Sequence, residues 1–230
     1  NHDQVANQLR GDRLHDKTSP GLVRVLTAFL LLSPQTPLLF MGQEFGASSP
    51  FLFFADFPPG ELAQAIHRGR KALLARFLSA SSFEAQASIP DPCDPRVFED
   101  SKLDLSERDR HRHVYVLHRE LLRLRREDPV IARQARDQLD GAVLGPHAFV
   151  VRYAGSDGDD RLLLLNLGPD YDYRPAPEPL LAPPVGRRWS LFWSSDEPRY
   201  GGPGVISPLS PEGWRLPAES AVLYQTEPEG

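Results

Sequence analysis

Residues 20–45 read PGLVRVLTAFLLLSPQTPLLFMGQEF, and the fold class turns on them. Ser19 stands before the apolar run as a helix cap, and Pro20 suits a first helical turn. Only Arg24 and Thr27 interrupt residues 21–32. That pattern predicts a helix covered by protein on more than one face and ended by Ser33-Pro34. Residues 38–41 are apolar without alternation. A short unbroken run of this kind predicts a strand buried on both faces, as in a parallel sheet. Gly42 stops it and leaves Gln43 and Glu44 at its C-terminal end, where α/β sheets and barrels place polar chemistry. A buried helix followed by a buried strand is one α/β step rather than a whole fold.

Upstream, residues 1–18 are polar and read as loop. Downstream, residues 48–60 (SSPFLFFADFPPG) gather Phe51, Phe53, Phe54 and Phe57 around Asp56. A helix is expected over 61–78, with Leu62, Ile66, Leu73 and Phe77 as its apolar stripe. Arg68, Arg70, Lys71 and Arg76 mostly fall off that stripe, and Gly69 weakens it. Residues 79–106 read as irregular, most plainly IPDPCDP at 89–95. Val114, Leu117, Leu121 and Leu124 recur at helical spacing and predict an amphipathic helix from residue 113 to about 127, closed by Pro129. Beyond it the texture changes to short β-type runs: AFVVRY (148–153), RLLLLNL (161–167), RWSLFW (188–193) and AVLYQ (221–225). Turn residues separate them, which predicts a small antiparallel sandwich. The two parts divide as 1–128 and 129–230.

Composition narrows the function classes. The chain has 230 residues, 40% hydrophobic, and a net charge of −5, which gives no electrostatic footprint for nucleic acid. The apolar run 25–32 is too short to span a bilayer, so no membrane partner is expected. Cys93 is the one cysteine, so neither an intrachain disulfide nor a thiolate metal cluster can form; a reducing, cytoplasmic setting is compatible. The histidines lack zinc-ligand spacing, and His111, His113 and His118 read most simply as a solvated helix face. No phosphate-binding loop is present, and GGPGVI (201–206) lacks the dinucleotide fingerprint. No cofactor and no metal are expected.

Three places carry carboxylates of chemical interest: His2-Asp3, Glu44 and Asp56. Carboxylates beside aromatic rings suit a sugar site, where the acids act on or hold hydroxyls and the rings stack on pyranose faces. Each has a plainer reading as well. A loop His-Asp pair is often a turn or cap, Glu44 could pair with an arginine, and a phenylalanine cluster is often a satellite core beneath a long loop.

In their order, these segments resemble the alpha-amylase family of glycoside hydrolases. NHDQ (1–4) is similar to the segment that ends the seventh strand of that family's (β/α)8 barrel. Residues 20–33 then correspond to its seventh helix, 36–45 to its eighth strand and 113–131 to its eighth helix, followed by a β-domain. The expected fold is therefore α/β: the C-terminal part of a TIM barrel, from the end of strand seven to helix eight, followed by a small antiparallel β-sandwich. NHDQVANQLRGDRL, MGQEFGASSPFLFFADF, IPDPCDP and FEDSKLD narrow the resemblance to the malto-oligosyltrehalose trehalohydrolases. Members of that subfamily hydrolyse the α-1,4 bond next to a terminal trehalose. Ala6 stands where the pattern has glycine, and Gln8 where it has arginine.

The resemblance implies roles. Asp3 would be the third essential carboxylate, holding sugar hydroxyls as the ring distorts towards an oxocarbenium ion. His2 would donate a hydrogen bond to the same sugar, and Gln4 would face the leaving-group side. Phe45, Phe51 and Phe53 would shape the trehalose end, and Glu44 would either contact substrate or support the loop. The nucleophile and general acid of the retaining mechanism would lie upstream, on strands four and five. The implied partners are maltooligosyl trehalose, malto-oligosaccharides and the remaining N-terminal portion of the same enzyme. Lone barrel elements would leave the apolar helix at 20–33 exposed to water. Two other readings share the motifs: a glucan-branching transferase of the same family, and an amylase-like subunit without catalysis.

Overall fold

A computed structural model describes residues 1–77 and 81–229. Its helices are α1 His2–Ala6, α2 Leu14–Lys17, α3 Pro20–Leu32, α4 Glu61–Leu74, α5 Phe83–Ala87, α6 Pro95–Asp100, α7 Glu107–Arg110 and α8 Arg112–Glu127. Its strands are β1 Leu139–Val143, β2 Ala148–Tyr153, β3 Arg161–Asn166, β4 Tyr171–Tyr173, β5 Arg187–Ser194, β6 Leu209–Ser210, β7 Gly213–Leu216 and β8 Ser220–Pro228. No helix among the described residues is long and apolar enough to cross a membrane. Compact packing divides the chain otherwise than by one cut after residue 128. One unit is Asn1–Thr18 with Leu38–Arg112, the other Ser19–Pro37 with His113–Gly230.

The second unit is built on two antiparallel sheets, one ordered β1-β2-β3-β8-β5 and the other β4-β7-β6. Alternate residues Val150, Leu162, Leu164, Val222 and Tyr224 meet Trp214 and Leu216 of the small sheet in one core. Successive side chains of a strand face opposite ways, so Leu163 and Leu165 leave β3 on its other face and are buried too. Helix α3 packs there, on β3 and β8. Phe29 meets Phe149 edge-to-face at 5.3 Å, and the Tyr153 hydroxyl donates to the Leu32 carbonyl at 3.1 Å. The continuous apolar run of β3 thus demands cover on both faces, and α3 supplies the second. Helix α3 is covered as its apolar pattern predicts, with Val25, Ala28, Leu31 and Leu32 fully buried, and the exposure expected of lone barrel elements does not arise because the sheet covers it.

Ser19 caps α3 by accepting from the Leu22 amide at 3.1 Å, as its position predicts. At the other end, Arg125 of α8 donates to the carbonyls of Leu31 and Gln35, taking up acceptors that the helix end leaves over. The same helix buries Leu117 and Leu121 as expected, but His118 is buried as well. Its Nδ1 lies 2.9 Å from the Val114 carbonyl, one turn back, so it is no part of a solvated face.

The first unit differs from expectation in four places. Residues 1–18 are not all loop, since α1 and α2 form there. Residues 38–41 form no strand, and Leu38 and Met41 are 66% and 44% exposed. A buried parallel strand needs neighbours on both sides, and among the described residues every strand lies at or beyond residue 139. Residues 79–106 contain α5 and α6, each opened by a cap: Ser82 accepts from the Ala85 amide, and Asp94 from the Arg96 amide ahead of Pro95. Helix α4 closes at Leu74, and residue 78 of the expected helix lies outside the described residues. It buries Ala63, Arg70 and Leu74, while Leu62 and Leu73 face water. The buried stripe therefore runs i, i+7, i+11 through one alanine and one arginine, not through the large apolar residues.

Candidate active site

The candidate residues all belong to the first unit. Asn1 caps α1 by accepting from the Asp3 amide at 2.9 Å, and Gln4 Oε1 accepts from the Asn1 nitrogen at 2.8 Å. The short helix this creates turns Ala6 inward and leaves His2, Asp3 and Gln4 exposed. His2 Nε2 lies 3.1 Å from Asp3 Oδ1, with the two side chains 65% and 62% exposed. An accessible carboxylate beside an imidazole can accept hydroxyls of a ligand while its neighbour donates.

Two arginines tie this segment to the loops around it. Arg70 Nη1 donates to Asn7 Oδ1 at 2.7 Å, and its Nη2 donates to the Ala6 carbonyl. The same guanidinium lies over the Phe53 ring, 5.2 Å from its centroid. Arg13 Nε donates to the Ser49 carbonyl at 2.7 Å and Nη1 to the Met41 carbonyl at 2.9 Å, beneath the Phe40 ring. Burial draws the Arg13 pKa below the ordinary arginine value, opposed by Asp16, Glu107 and Glu44. Burial likewise lowers the His15 pKa, outweighing Asp16 beside it.

Glu44 sits half-buried on a one-turn helix, Gln43–Phe45, held between Gly42 and Gly46, both left-handed at φ 83° and 60°. A Cβ at Gly42 would come within 2.7 Å of Ala47 and Leu103, so the turn needs glycine for its space as well as its φ. The same turn drives Phe45 into the interior, 1% exposed, with its carbonyl 3.1 Å from His111 Nδ1. His111 is accordingly half-buried rather than fully exposed. Below it, Glu107 is buried and accepts from the Ser48 amide at 2.9 Å and from the Ser48 hydroxyl. These bonds, the hydroxyl's first, hold its pKa below the usual glutamate value.

Phe51 is half-buried, and its amide donates to the Gly11 carbonyl at 3.0 Å. A Cβ on Gly11 (φ 68°) would come 2.7 Å from the Phe51 carbonyl oxygen, so this close approach also depends on glycine. Phe40, Phe51, Phe54 and Phe98 form an edge-to-face chain with centroids 4.8, 5.9 and 5.1 Å apart. Phe53 stands outside that chain, 43% exposed, and Asp56 is exposed on the same loop.

The structure thus joins the C-terminal end of α1 to Phe53 through Arg70, the segment after α1 to Phe51 through Gly11, and Glu44 electrostatically to Arg13. It places Phe45 in the interior. Arg13, Arg70 and Glu107 escape a reading of the sequence, because charged residues within polar segments carry no periodic signal. Among the described residues no group of three or more His, Cys, Asp or Glu is disposed to hold a metal ion.

Residues 136–223 match a family described as a domain of unknown function, DUF3459. The chain is 43% identical over 172 residues to the malto-oligosyltrehalose trehalohydrolase of Deinococcus radiodurans, covering 74% of this chain and 28% of that protein. The enzyme of the same name from Brevibacterium helvolum is 42% identical over 138 residues, 57% of this chain and 22% of its own. The chain therefore spans between a fifth and a third of the length of these relatives. Among solved structures, a "putative alpha amylase" from Salmonella typhimurium superposes with a TM-score of 0.73 at 30% identity, over 99% of this chain and 34% of that one. The trehalose-6-phosphate hydrolase of Bacillus licheniformis shares the fold with a TM-score of 0.59 at 14% identity, over 98% of this chain and 42% of that one. The chain is a mixed α/β relative of malto-oligosyltrehalose trehalohydrolases, with two separate antiparallel sheets.

Proposed function

We propose that this chain is part of an alpha-amylase-family glycoside hydrolase that releases trehalose from maltooligosyl trehalose by cleaving the adjacent α-1,4 bond. The observation that carries this reading is the 43% identity to a trehalohydrolase over 172 residues. Residues 1–128 would derive from the C-terminal part of a (β/α)8 barrel and 129–230 from the β-domain after it. Exposure of Leu38 and Met41 agrees with that origin, since barrel strands supplied from outside these residues would cover them. In the reaction Asp3 holds hydroxyls of the distorting sugar, and these contacts tighten in the transition state. His2 donates to the same ring. Phe53 offers an aromatic face to the trehalose end, beside Phe51. Gln4 lies on the leaving-group side, and Glu44 and Phe45 shape the loop below. The nucleophile and general acid come from the remaining portion of the enzyme. A cytoplasmic setting fits a chain with a single cysteine.

Incubation of the enzyme that carries this chain with maltooligosyl trehalose tests the reading. Free trehalose is the expected product. New α-1,6 branches in its place would make the enzyme a branching transferase, and no turnover at all would make it a binding subunit.

A further inference from the structure

Helix α4 carries an arginine that its role as a surface helix does not require. Arg70 is 8% exposed and shares a face with Ala63 and Leu74. Among the described residues no carboxylate pairs with it, and its acceptors are the neutral oxygens of Ala6 and Asn7. Burying a cation without an anion is costly, and an apolar side chain would fill such a volume at less cost. What a guanidinium adds is geometry: a planar fork with donors at fixed angles and a face that stacks on an aromatic ring.

That geometry reaches two elements at once. The Ala6 carbonyl and the Asn7 side chain mark the C-terminal end of α1, and the Asn7 amide donates to the Asp3 carbonyl at 3.0 Å. The fork is therefore one helical turn from the backbone of Asp3. The other partner of the guanidinium is Phe53. Leu74, one turn further along α4, packs with Leu9 and Ile89, which steadies the segment after α1 but gives Phe53 nothing.

We infer that Arg70 is a positioning residue that holds the Asp3 helix and Phe53 in one fixed relation, so that carboxylate and aromatic face meet the same sugar. The catalytic half of this inference rests on the trehalose-release reading, whereas the geometric half does not. In the enzyme that carries this chain, Arg70→Ala is expected to lower kcat about 100-fold by misplacing Asp3. It is also expected to raise KM. Phe53→Ala should raise KM alone, and the double variant should show less than the sum of the two KM effects. Methylguanidinium should restore part of the kcat of Arg70→Ala, which a loss of folded enzyme would not allow. Arg70→Lys keeps the charge without the fork and should stay about tenfold impaired.

Kinetic constants for Arg70→Ala within twofold of an unmodified enzyme that releases trehalose would overturn the inference. Hydrogen exchange reads the geometry without substrate. The Asn7 amide should exchange about tenfold faster in Arg70→Ala, with the Leu164 amide of β3 unchanged. Unaltered Asn7 protection overturns the inference whether or not trehalose is formed. Faster exchange at Asn7 in an enzyme that yields no trehalose leaves the positioning intact and removes the trehalose reading alone.

Discussion

In the sheet-bearing unit, β3 exchanges backbone hydrogen bonds with β2 on one side and β8 on the other, residue by residue from 161 to 166. In the loop-rich unit, residues 38–60 have no such ladder. The carbonyls of Met41 and Ser49 are met by Arg13, and the amides of Ser48 and Leu52 by Glu107 and Ser101. Both units satisfy their polar backbone, one largely by the repeat of its sheets and the other, in these loops, by isolated backbone contacts such as Phe51 to Gly11 together with single side chains. The difference matters for function. A ladder tolerates the loss of one side chain, whereas a loop held by individual residues can place a site finely and lose it in one substitution. All three tryptophans of this chain lie in the sheet-bearing unit, so within residues 1–230 their emission reports on it selectively.

The largest effect is expected at Asp3. In the intact enzyme Asp3→Asn should cut turnover roughly 1,000-fold, because it removes a contact that strengthens in the transition state. The side chain is exposed and supports no core, so tryptophan-monitored melting should not move. Near-normal turnover would remove Asp3 from the mechanism.

Next comes the buried pair at the base of the sheet. Arg161 donates to Asp128 at 2.8 Å and to Asp159 at 2.6 Å, and Asp128 also accepts from the amides of Val130 and Ile131. Asp128→Ala leaves those donors and much of the Arg161 charge uncompensated, at a cost of about 4 kcal/mol. Urea unfolding followed by tryptophan emission measures it. A loss below about 1 kcal/mol, the range of a surface pair, would mean that the sheet does not depend on this buried one.

Leu164→Ala probes the sandwich core that both sheets share, where the residue is 1% exposed. About 3 kcal/mol should be lost on the same measurement, from lost transfer energy and the cavity left behind. A much smaller loss would mean that the two sheets close over the gap, and the rigidity assigned to this unit would be overstated.

The contrast also explains what could be read in advance. Residues 148–153 and 161–166 announce themselves, because strands covered by protein must be apolar at every inward position. Helix α3 is legible for the same reason, together with its Ser19-Pro20 cap. Strands β1, β4 and β7 are short and carry Gly, Asp or Arg, and β6 has only two residues, so their pairing comes from neighbours rather than from their own pattern. Residues 38–41 misled because an apolar run states a need for cover and not its source. At the candidate site, His2-Asp3 and the aromatic loop stand out by residue type. Arg13, Arg70 and Glu107 do not, since what buries them is a set of acceptors and donors supplied by distant loops. Only the spacing of Ala63, Arg70 and Leu74 on one helical face hints at the second of these.

The smallest expected effect separates the units by pH. Glu107 takes both the amide and the hydroxyl of Ser48, with Arg110 at 3.3 Å, and these bonds keep its pKa below that of an unfolded glutamate. The folded state therefore binds fewer protons than the unfolded one across that interval. The stability it contributes is complete above the unfolded value, about 4.3, and is lost as pH falls through the lower folded value. The Ser48 amide should lose protection in that acid range, after correction for the intrinsic exchange rate, before tryptophan emission changes. Glu107→Gln should abolish this acid sensitivity and cost about 2 kcal/mol at neutral pH, because one carboxylate acceptor becomes an amide donor facing a donor. If the variant kept the same acid response, another group would be holding this loop. The dependence of the loop-rich unit on single side chains would then have to be relocated rather than abandoned, since Ser48 would still require an acceptor that no ladder provides.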